Sequence, residues 1–361
     1  MAKNKKIMIA TGGTGGHIFP AISVAETFKK NGYSVLITVD ERGEKYLEKS
    51  DLKYKVIKSG YSLFRLKSLM SIMFGFFQSI FTILRFKPDV VMGFGSYTTL
   101  PVLMANGIMH KPLFLHEGNA FVGKINKLFL KKSVNMFTSF QEIFNVNIKD
   151  SNTLYFAGAV IRNDLKKYTN QEYKYNGNNL TILITGGSGG ASFLSNEFIK
   201  VFDFINKDLK SKINVIHQVK TKEELEEVKA FYKKNNIDSE VKTFFDDMPK
   251  KMFESDLIVC RSGIGTISEV SALGRPCIMI PSPNVANDHQ LYNAKFYSRN
   301  NACILLEEKD FVAKDFALKL TNLLNDEGKM TELASNIKSM AILNSNETIF
   351  DVINKYIHDN N

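Results

Sequence analysis

Short apolar runs that end in small or polar residues recur along the chain. Ile7-Met8-Ile9-Ala10 runs into Gly12-Gly13-Thr14-Gly15-Gly16-His17, and a helical pattern, Ile18–Asn31, follows. Val35–Val39, Pro88–Gly93, Pro112–Leu115, Val134–Thr138 and Leu154–Ala157 repeat the apolar run. Such runs read as buried strands, with helices between them. Lys166–Asn179 is polar and tyrosine-rich and reads as a linker. The alternation then restarts with Leu180–Ile184, which runs into Gly186-Gly187-Ser188-Gly189-Gly190-Ala191. Helices near Phe193–Asn206 and Glu223–Asn235 alternate with runs at Ile213–Gln218, Glu240–Phe245, Leu257–Cys260 and Pro276–Ile280. The tail, Phe311–Asp326 and Met330–His358, is mostly helical in pattern. This alternation predicts an α/β protein of two similar domains, each a parallel sheet covered by helices.

One segment breaks the pattern. Ser68–Leu84 carries no charge and is apolar over more than half of a helical wheel. A helix covering one sheet face needs an apolar stripe of only about 100°. The surplus, including Phe74, Phe77 and Phe81, is expected to face lipid. The segment is short for a span and Ser68, Ser71, Gln78 and Ser79 interrupt it, so an interfacial patch is expected. Arg65, Lys67 and Arg85 flank it, and Lys127 and Lys131 lie on a second basic, apolar helix. Basic residues around an apolar patch suit anionic headgroups.

The charge balance agrees with that reading. The 361 residues carry a formal net charge of +10, which favours anionic membranes, phosphorylated substrates or nucleic acid. Nucleic acid is not expected, because no zinc-finger spacing, RRM signature or base-reading basic helix is present. The three cysteines, Cys260, Cys277 and Cys303, lack metal-ligand spacing and read as reduced cytosolic thiols. The first apolar run is only a strand's length, so no signal peptide is read.

Most unusual polar motifs follow strands, where ligands of open α/β sheets sit. Glycines there allow close backbone approach and aim N–H groups at anions. Gly12–His17 is a candidate diphosphate loop, with His17 as a base near the start of a helix, where the dipole favours neutral imidazole. Gly93–Pro101 offers small residues and hydroxyls for a second phosphate. His116-Glu117-Gly118-Asn119 gathers an acid–base pair that could position a sugar hydroxyl. Gly186–Ala191 is the second phosphate loop. His217-Gln218 could read a base edge or a hydroxyl. In Cys260–Glu269, Glu269 offers two acceptor oxygens to a ribose diol. Asp288, His289 and Gln290 could meet sugar hydroxyls. No Asp-x-Asp motif occurs, so no metal and no cofactor are expected, and leaving-group charge falls to amides, helix ends and cations.

Taken in order, these motifs, with Gly158–Arg162 and Asp246-Asp247-Met248, resemble the MurG family of bacterial N-acetylglucosaminyltransferases of peptidoglycan synthesis. The resemblance covers almost the whole chain. It implies a GT-B fold, two Rossmann-like domains facing an interdomain cleft. Residues 1–163 would be the acceptor-binding, membrane-associated domain, 164–341 the UDP-N-acetylglucosamine domain, and 342–361 a helix returning to the first. It implies inverting transfer of N-acetylglucosamine to the 4-hydroxyl of undecaprenyl-diphospho-muramoyl-pentapeptide, at the cytoplasmic face of the membrane, by a peripheral protein. His17, Glu117 and His116 would be catalytic. Thr14, Gly15, Gly16, Asn119, Arg162, Gly187, Ser188, Ile264, Glu269, His289 and Gln290 would bind the donor. Gly13, Gly15, Gly16 and Tyr97 would bind the acceptor. Partners would be the two substrates, the anionic inner-membrane surface, and proteins of cell-wall synthesis and division. The chain departs from the family pattern in four places. Gly95-Ser96-Tyr97 replaces Gly-Gly-Tyr, and Gly158–Arg162 replaces Gly-Asn-Pro-[IV]-Arg. Gly118 and Gly189 stand where glutamines are common, so neither takes a side-chain role. Three other readings are a related transferase acting on another lipid, a nucleotide-sugar epimerase, which shares the two-domain plan, and a non-catalytic nucleotide-sugar sensor on membranes.

Overall fold

The apolar runs form strands whose residues are buried on both faces, as parallel sheets covered by helices require. In the first of them Ile7, Met8, Ile9 and Ala10 are all inaccessible to solvent. The structure is a computed structural model that describes residues 5–48, 50–60, 66–146, 153–187 and 190–360. The chain divides into two units, Met1–Arg162 with Ile342–Asn361, and Asn163–Ala341.

The first unit holds β1 (Lys6–Ala10), β2 (Ser34–Val39), β3 (Tyr54–Val56), β4 (Val90–Gly93), β5 (Leu113–Glu117), β6 (Asn135–Thr138) and β7 (Leu154–Phe156). Their order is β3-β2-β1-β4-β5-β6-β7, with every pair parallel. The second holds β8 (Leu180–Thr185), β9 (Ile213–Gln218), β10 (Asp238–Lys242), β11 (Leu257–Cys260), β12 (Cys277–Met279) and β13 (Ile304–Leu305). Their order is β10-β9-β8-β11-β12-β13, again parallel. Both units are Rossmann-like. In each, the strand order reverses beside the first strand, between β1 and β4 and between β8 and β11. Ligands of doubly wound sheets bind beyond the carboxyl ends of strands at such a reversal. The two glycine loops, Gly93–Pro101 and Arg261–Gly265 all leave strands at these points.

Several sequence expectations need correction. β3 and β13 lie outside the apolar runs, because one is a partly exposed edge strand and the other has only two residues. β10 begins at Asp238, ahead of Glu240–Phe245. The segment 166–179 is not a free linker. Tyr173 and Tyr175 lay their rings on the core of the second unit, and the Tyr175 hydroxyl donates to Leu324 O. The tail forms three helices, Ala313–Leu324, Glu327–Ser339 and Ser345–Asp359. The last packs on the helix Gly15–Lys30, burying Ile349, Ile353 and Ile357, with Phe28 and Phe350 edge to face at 5.1 Å. Gly158 lets it approach: its φ is +82°, and a Cβ there would lie 2.5 Å from Ile342 Cβ.

The helix Leu66–Phe86 turns its small residues inward. Ser68, Ile72, Gly75, Ser79, Thr82 and Ile83 are buried, and a Cβ on Gly75 would lie 1.8 Å from Lys58 O. Its large residues point outward: Leu66, Met70, Met73, Phe74, Phe77, Phe81 and Leu84 are each more than half exposed. The helix is long and apolar enough to cross a membrane by length and composition, but its inner face is committed to its own unit. Phe76 and Ile80, part of the apolar surplus, pack inward. Lys67, Arg85, Lys127 and Lys131 are exposed, and Lys55 and Lys58 lie over the Phe81 and Phe74 rings. Arg65 lies outside the described residues.

Candidate active site

In the first unit the site is built at the carboxyl ends of β1, β2, β4 and β5. Gly12 and Gly13 have φ of 151° and 83°. A Cβ on Gly12 would lie 2.6 Å from both Asp40 Oδ1 and Thr98 Oγ1, and one on Gly13 3.1 Å from Ser96 Oγ. The loop is therefore glycine because two neighbouring loops press on it. No side chain caps the helix Gly15–Lys30, and its N-cap is Thr14. The N–H groups of Gly15 and Gly16, in its first turn, lack intrahelical partners and suit an anion. His17 follows in the same turn, its N–H on Thr14 O and its carbonyl taking the Thr11 hydroxyl at 3.0 Å. Tyr97 opens a short 3-10 turn against the apolar cluster. Arg162 lies over the Phe19 ring at 4.9 Å.

Sequence reading missed Asp40 and Arg42. Asp40 Oδ1 accepts the Gly13 N–H at 2.8 Å, and its Oδ2 pairs with Arg42 Nε at 2.9 Å. Gly13 is thereby corrected as an anion donor, since its amide is already spent on a carboxylate. What brings them together is the parallel register, which the structure supplies and the local sequence does not. Ala10 pairs with Thr38, which sets Gly12 level with Asp40, two residues beyond that pair.

His116 and Glu117 are also corrected. His116 is buried against Phe94, with ring centroids 4.8 Å apart. Burial, then the nearby His17, pushes its imidazole down to about 3, so it accepts no proton near neutrality. Glu117 is buried, and four donors occupy its two oxygens. Asn119 N (3.1 Å) and Nδ2 (3.3 Å) reach Oε1, and Gly123 N (2.9 Å) and Asn126 Nδ2 (3.0 Å) reach Oε2. Burial raises its carboxyl, and these four bonds pull it back. Glu117 organises the loop and is not placed to take a proton from substrate. Asn119 is correspondingly committed to Glu117.

In the second unit, Gly187 has φ +75° and donates its N–H to Thr185 Oγ1 at 3.1 Å, and Thr185 donates to Gln218 Oε1 at 2.6 Å. Ser188 and Gly189 lie outside the described residues. The Gly187 amide, like that of Gly13, is used internally. Among the described residues, the helix Ile264–Leu273 offers uncapped first-turn amides instead. It starts at Gly263 with no side-chain cap, and Gly263 and Gly265 both border open space. A Cβ on Gly187 would lie 3.2 Å from Thr266 Oγ1, in that helix's first turn. Glu269 is partly exposed in its second turn.

The neighbouring loops are tied together. Arg261 Nη1 donates to Ile280 O at 3.0 Å, and its Nη2 pairs with Glu308, so this cation is structural. Ser262 Oγ donates to Gln290 O at 2.8 Å, and Gln290 Oε1 accepts the Ser282 N–H at 2.9 Å. Only the amide nitrogen of Gln290 remains for a ligand. His289 opens the helix His289–Arg299 after Asn287 and Asp288, both left-handed in φ. His217 does not read a ligand. It is fully buried, Nδ1 sits 3.0 Å from Tyr232 Oη, and burial pushes the imidazole down to about 3.

These two histidines make stability depend on pH. Their native values lie below the ordinary 6.5, so below pH 6.5 the unfolded chain binds protons that the native units refuse. Stability falls as pH drops from 6.5 towards 3, by about 1.4 kcal/mol per pH unit for each. Each unit therefore loses about 2 kcal/mol by pH 5. Urea unfolding at pH 5 and 7.5 checks this. His217→Phe should remove about one proton from the pH slope of the second unit, and an unchanged slope would refute the assignment.

Comparison with known proteins decides the family. Residues 7–138 match the glycosyltransferase family 28 N-terminal domain, and residues 181–349 match its C-terminal domain. A curated relative from the Wolbachia of Brugia malayi is 34% identical over 97% of this chain and 99% of its own length. One from Geotalea uraniireducens is 32% identical over 96% and 97%. Both are named UDP-N-acetylglucosamine–N-acetylmuramyl-(pentapeptide) pyrophosphoryl-undecaprenol N-acetylglucosamine transferase. The crystal structure of Acinetobacter baumannii MurG superposes with a TM-score of 0.78 at 25% identity, covering 97% of this chain and 99% of that one. The chain belongs to the MurG family. It is a glycosyltransferase of two Rossmann-like domains, and the MurG likeness spans both sheets and all four loops at the strand-order reversals.

Proposed function

We propose that this chain transfers N-acetylglucosamine from UDP-N-acetylglucosamine to the 4-hydroxyl of undecaprenyl-diphospho-muramoyl-pentapeptide, inverting the anomeric centre. The observation that carries the reading is the uncapped helix start at Gly263–Gly265, bordering open space near Gly187 with Glu269 one turn on. It suits a nucleoside diphosphate: amides of Ile264 and its neighbours for the phosphates, Glu269 for the ribose diol. His289 and the Gln290 amide nitrogen serve the sugar hydroxyls. In the first unit the amides of Gly15 and Gly16, with Thr14, Tyr97 and Arg162 nearby, serve substrate phosphates. The acceptor oxygen bonds to the anomeric carbon as the bond to the UDP oxygen breaks, and the hydroxyl proton passes to His17. Helix-start amides and cations stabilise the departing diphosphate. Labelled UDP-N-acetylglucosamine, incubated with and without the lipid-linked muramoyl-pentapeptide, tests this. Acceptor-dependent formation of the lipid-linked disaccharide supports it. An isomerised free sugar, or binding without transfer, overturns it.

We extend the reading to a peripheral position on the anionic cytoplasmic face of the membrane, and to partners among cell-wall synthesis and division proteins. Support for the first comes from the outward Phe74, Phe77 and Phe81 with exposed Lys67, Arg85, Lys127 and Lys131. Burying a phenylalanine ring contributes about 1.5–3 kcal/mol. Phe77→Ser with Phe81→Ser should therefore weaken binding to anionic vesicles at least about a hundredfold. Melting should stay unchanged, since both rings are exposed. Undiminished binding would place the contact elsewhere.

A further inference from the structure

Ser96 adopts φ 70° and ψ 151°. That combination is essentially reserved for glycine and strains a residue that carries a side chain. The turn holds it there: Ser96 O accepts both the Thr99 N–H at 3.2 Å and the Thr99 hydroxyl at 2.9 Å. The strained conformation lays the Ser96 hydroxyl on the first glycine loop, 3.1 Å from where a Gly13 Cβ would stand. Ser96 Oγ makes no hydrogen bond among the described residues. Two residues on, Thr98 is 4 % exposed, its hydroxyl also lacks a partner among the described residues, and it abuts Gly12. Arg42 Nη2 comes within 4.0 Å of the same Gly13 position. The Gly13 amide is already spent on Asp40, so at this point of the loop the donors available to an anion are side chains.

We infer that Ser96 is a substrate-binding residue whose hydroxyl donates to a diphosphate oxygen of the lipid-linked acceptor at the mouth of the first glycine loop. The inference rests on the proposed transfer reaction. Strain that glycine would relieve is retained because the hydroxyl replaces the donor that Asp40 has taken.

Two variants separate strain from binding. Ser96→Gly removes both, and Ser96→Ala removes only the hydroxyl. Ser96→Gly should melt about 2–12 °C higher than wild type, and Ser96→Ala should not. Both should raise the acceptor KM about tenfold or more, as expected for a lost hydrogen bond to a charged group, with the UDP-N-acetylglucosamine KM unchanged. Inhibition by inorganic pyrophosphate, competitive with acceptor, should weaken by a similar factor. An unchanged acceptor KM in Ser96→Gly, or an equal rise in the donor KM, overturns the assignment and leaves the transfer reaction standing. Failure of the wild-type chain to glycosylate the acceptor would overturn both.

Discussion

Replacing His17 by alanine should lower kcat by about 10²–10⁴-fold, the usual contribution of a positioned general base, with both substrates still bound. The environment of each titratable group at the carboxyl ends of β1, β2, β4 and β5 points to this residue. His116 is buried and, at about 3, stays neutral without accepting a proton. Glu117 has both oxygens filled by four donors. Asp40 is committed to Gly13 and Arg42. His17 is the partly exposed group, and its backbone is fixed at both ends by Thr14 O and the Thr11 hydroxyl. A base held by its backbone keeps its geometry when the side chain is truncated, so the loss should appear in kcat and not in KM. Single-turnover rates with saturating substrates decide. If His17→Ala retains more than about a tenth of the wild-type rate, the proton goes elsewhere.

The strand-and-loop plan was legible because its causes are local. Gly12, Gly13 and Gly187 have positive φ, and a backbone need of that kind writes itself into the sequence as glycine. Buried parallel strands likewise appear as unbroken apolar runs. The partners of those loops were not legible. Asp40 and Gly12 are level only because β1 and β2 pair Ala10 with Thr38, a register no local pattern declares. Glu117 reads from its loop as half of an acid–base pair, since its burial depends on Gly123 and Asn126 further along the chain. The helix Leu66–Phe86 shows another limit. Periodicity located its apolar surplus, but only packing shows that the small residues face in, with Gly75 against Lys58 O.

Glu117→Ala should cost the first unit about 3–5 kcal/mol, because it strands buried donors, and should lower its melting temperature by roughly 6–20 °C. Four donors lose their acceptor at once: two on Asn119, the Gly123 amide and the Asn126 side chain. Glu117→Gln should fall between, since its carbonyl oxygen can still accept while its amide nitrogen faces donors. The effect should also reach the substrate loops. Asn126 Nδ2 is shared with His116 O at 2.9 Å and sits 3.2 Å from the Cβ position of Gly95. Gly95 precedes Ser96, which rests on Gly13. Removing the carboxylate should therefore loosen the Gly93–Pro101 turn and raise the acceptor KM in whatever fraction stays folded. Melting curves and acceptor KM measured below the transition check both consequences. A Glu117→Ala protein that melts like wild type yet loses about 10³-fold in kcat would return Glu117 to proton transfer.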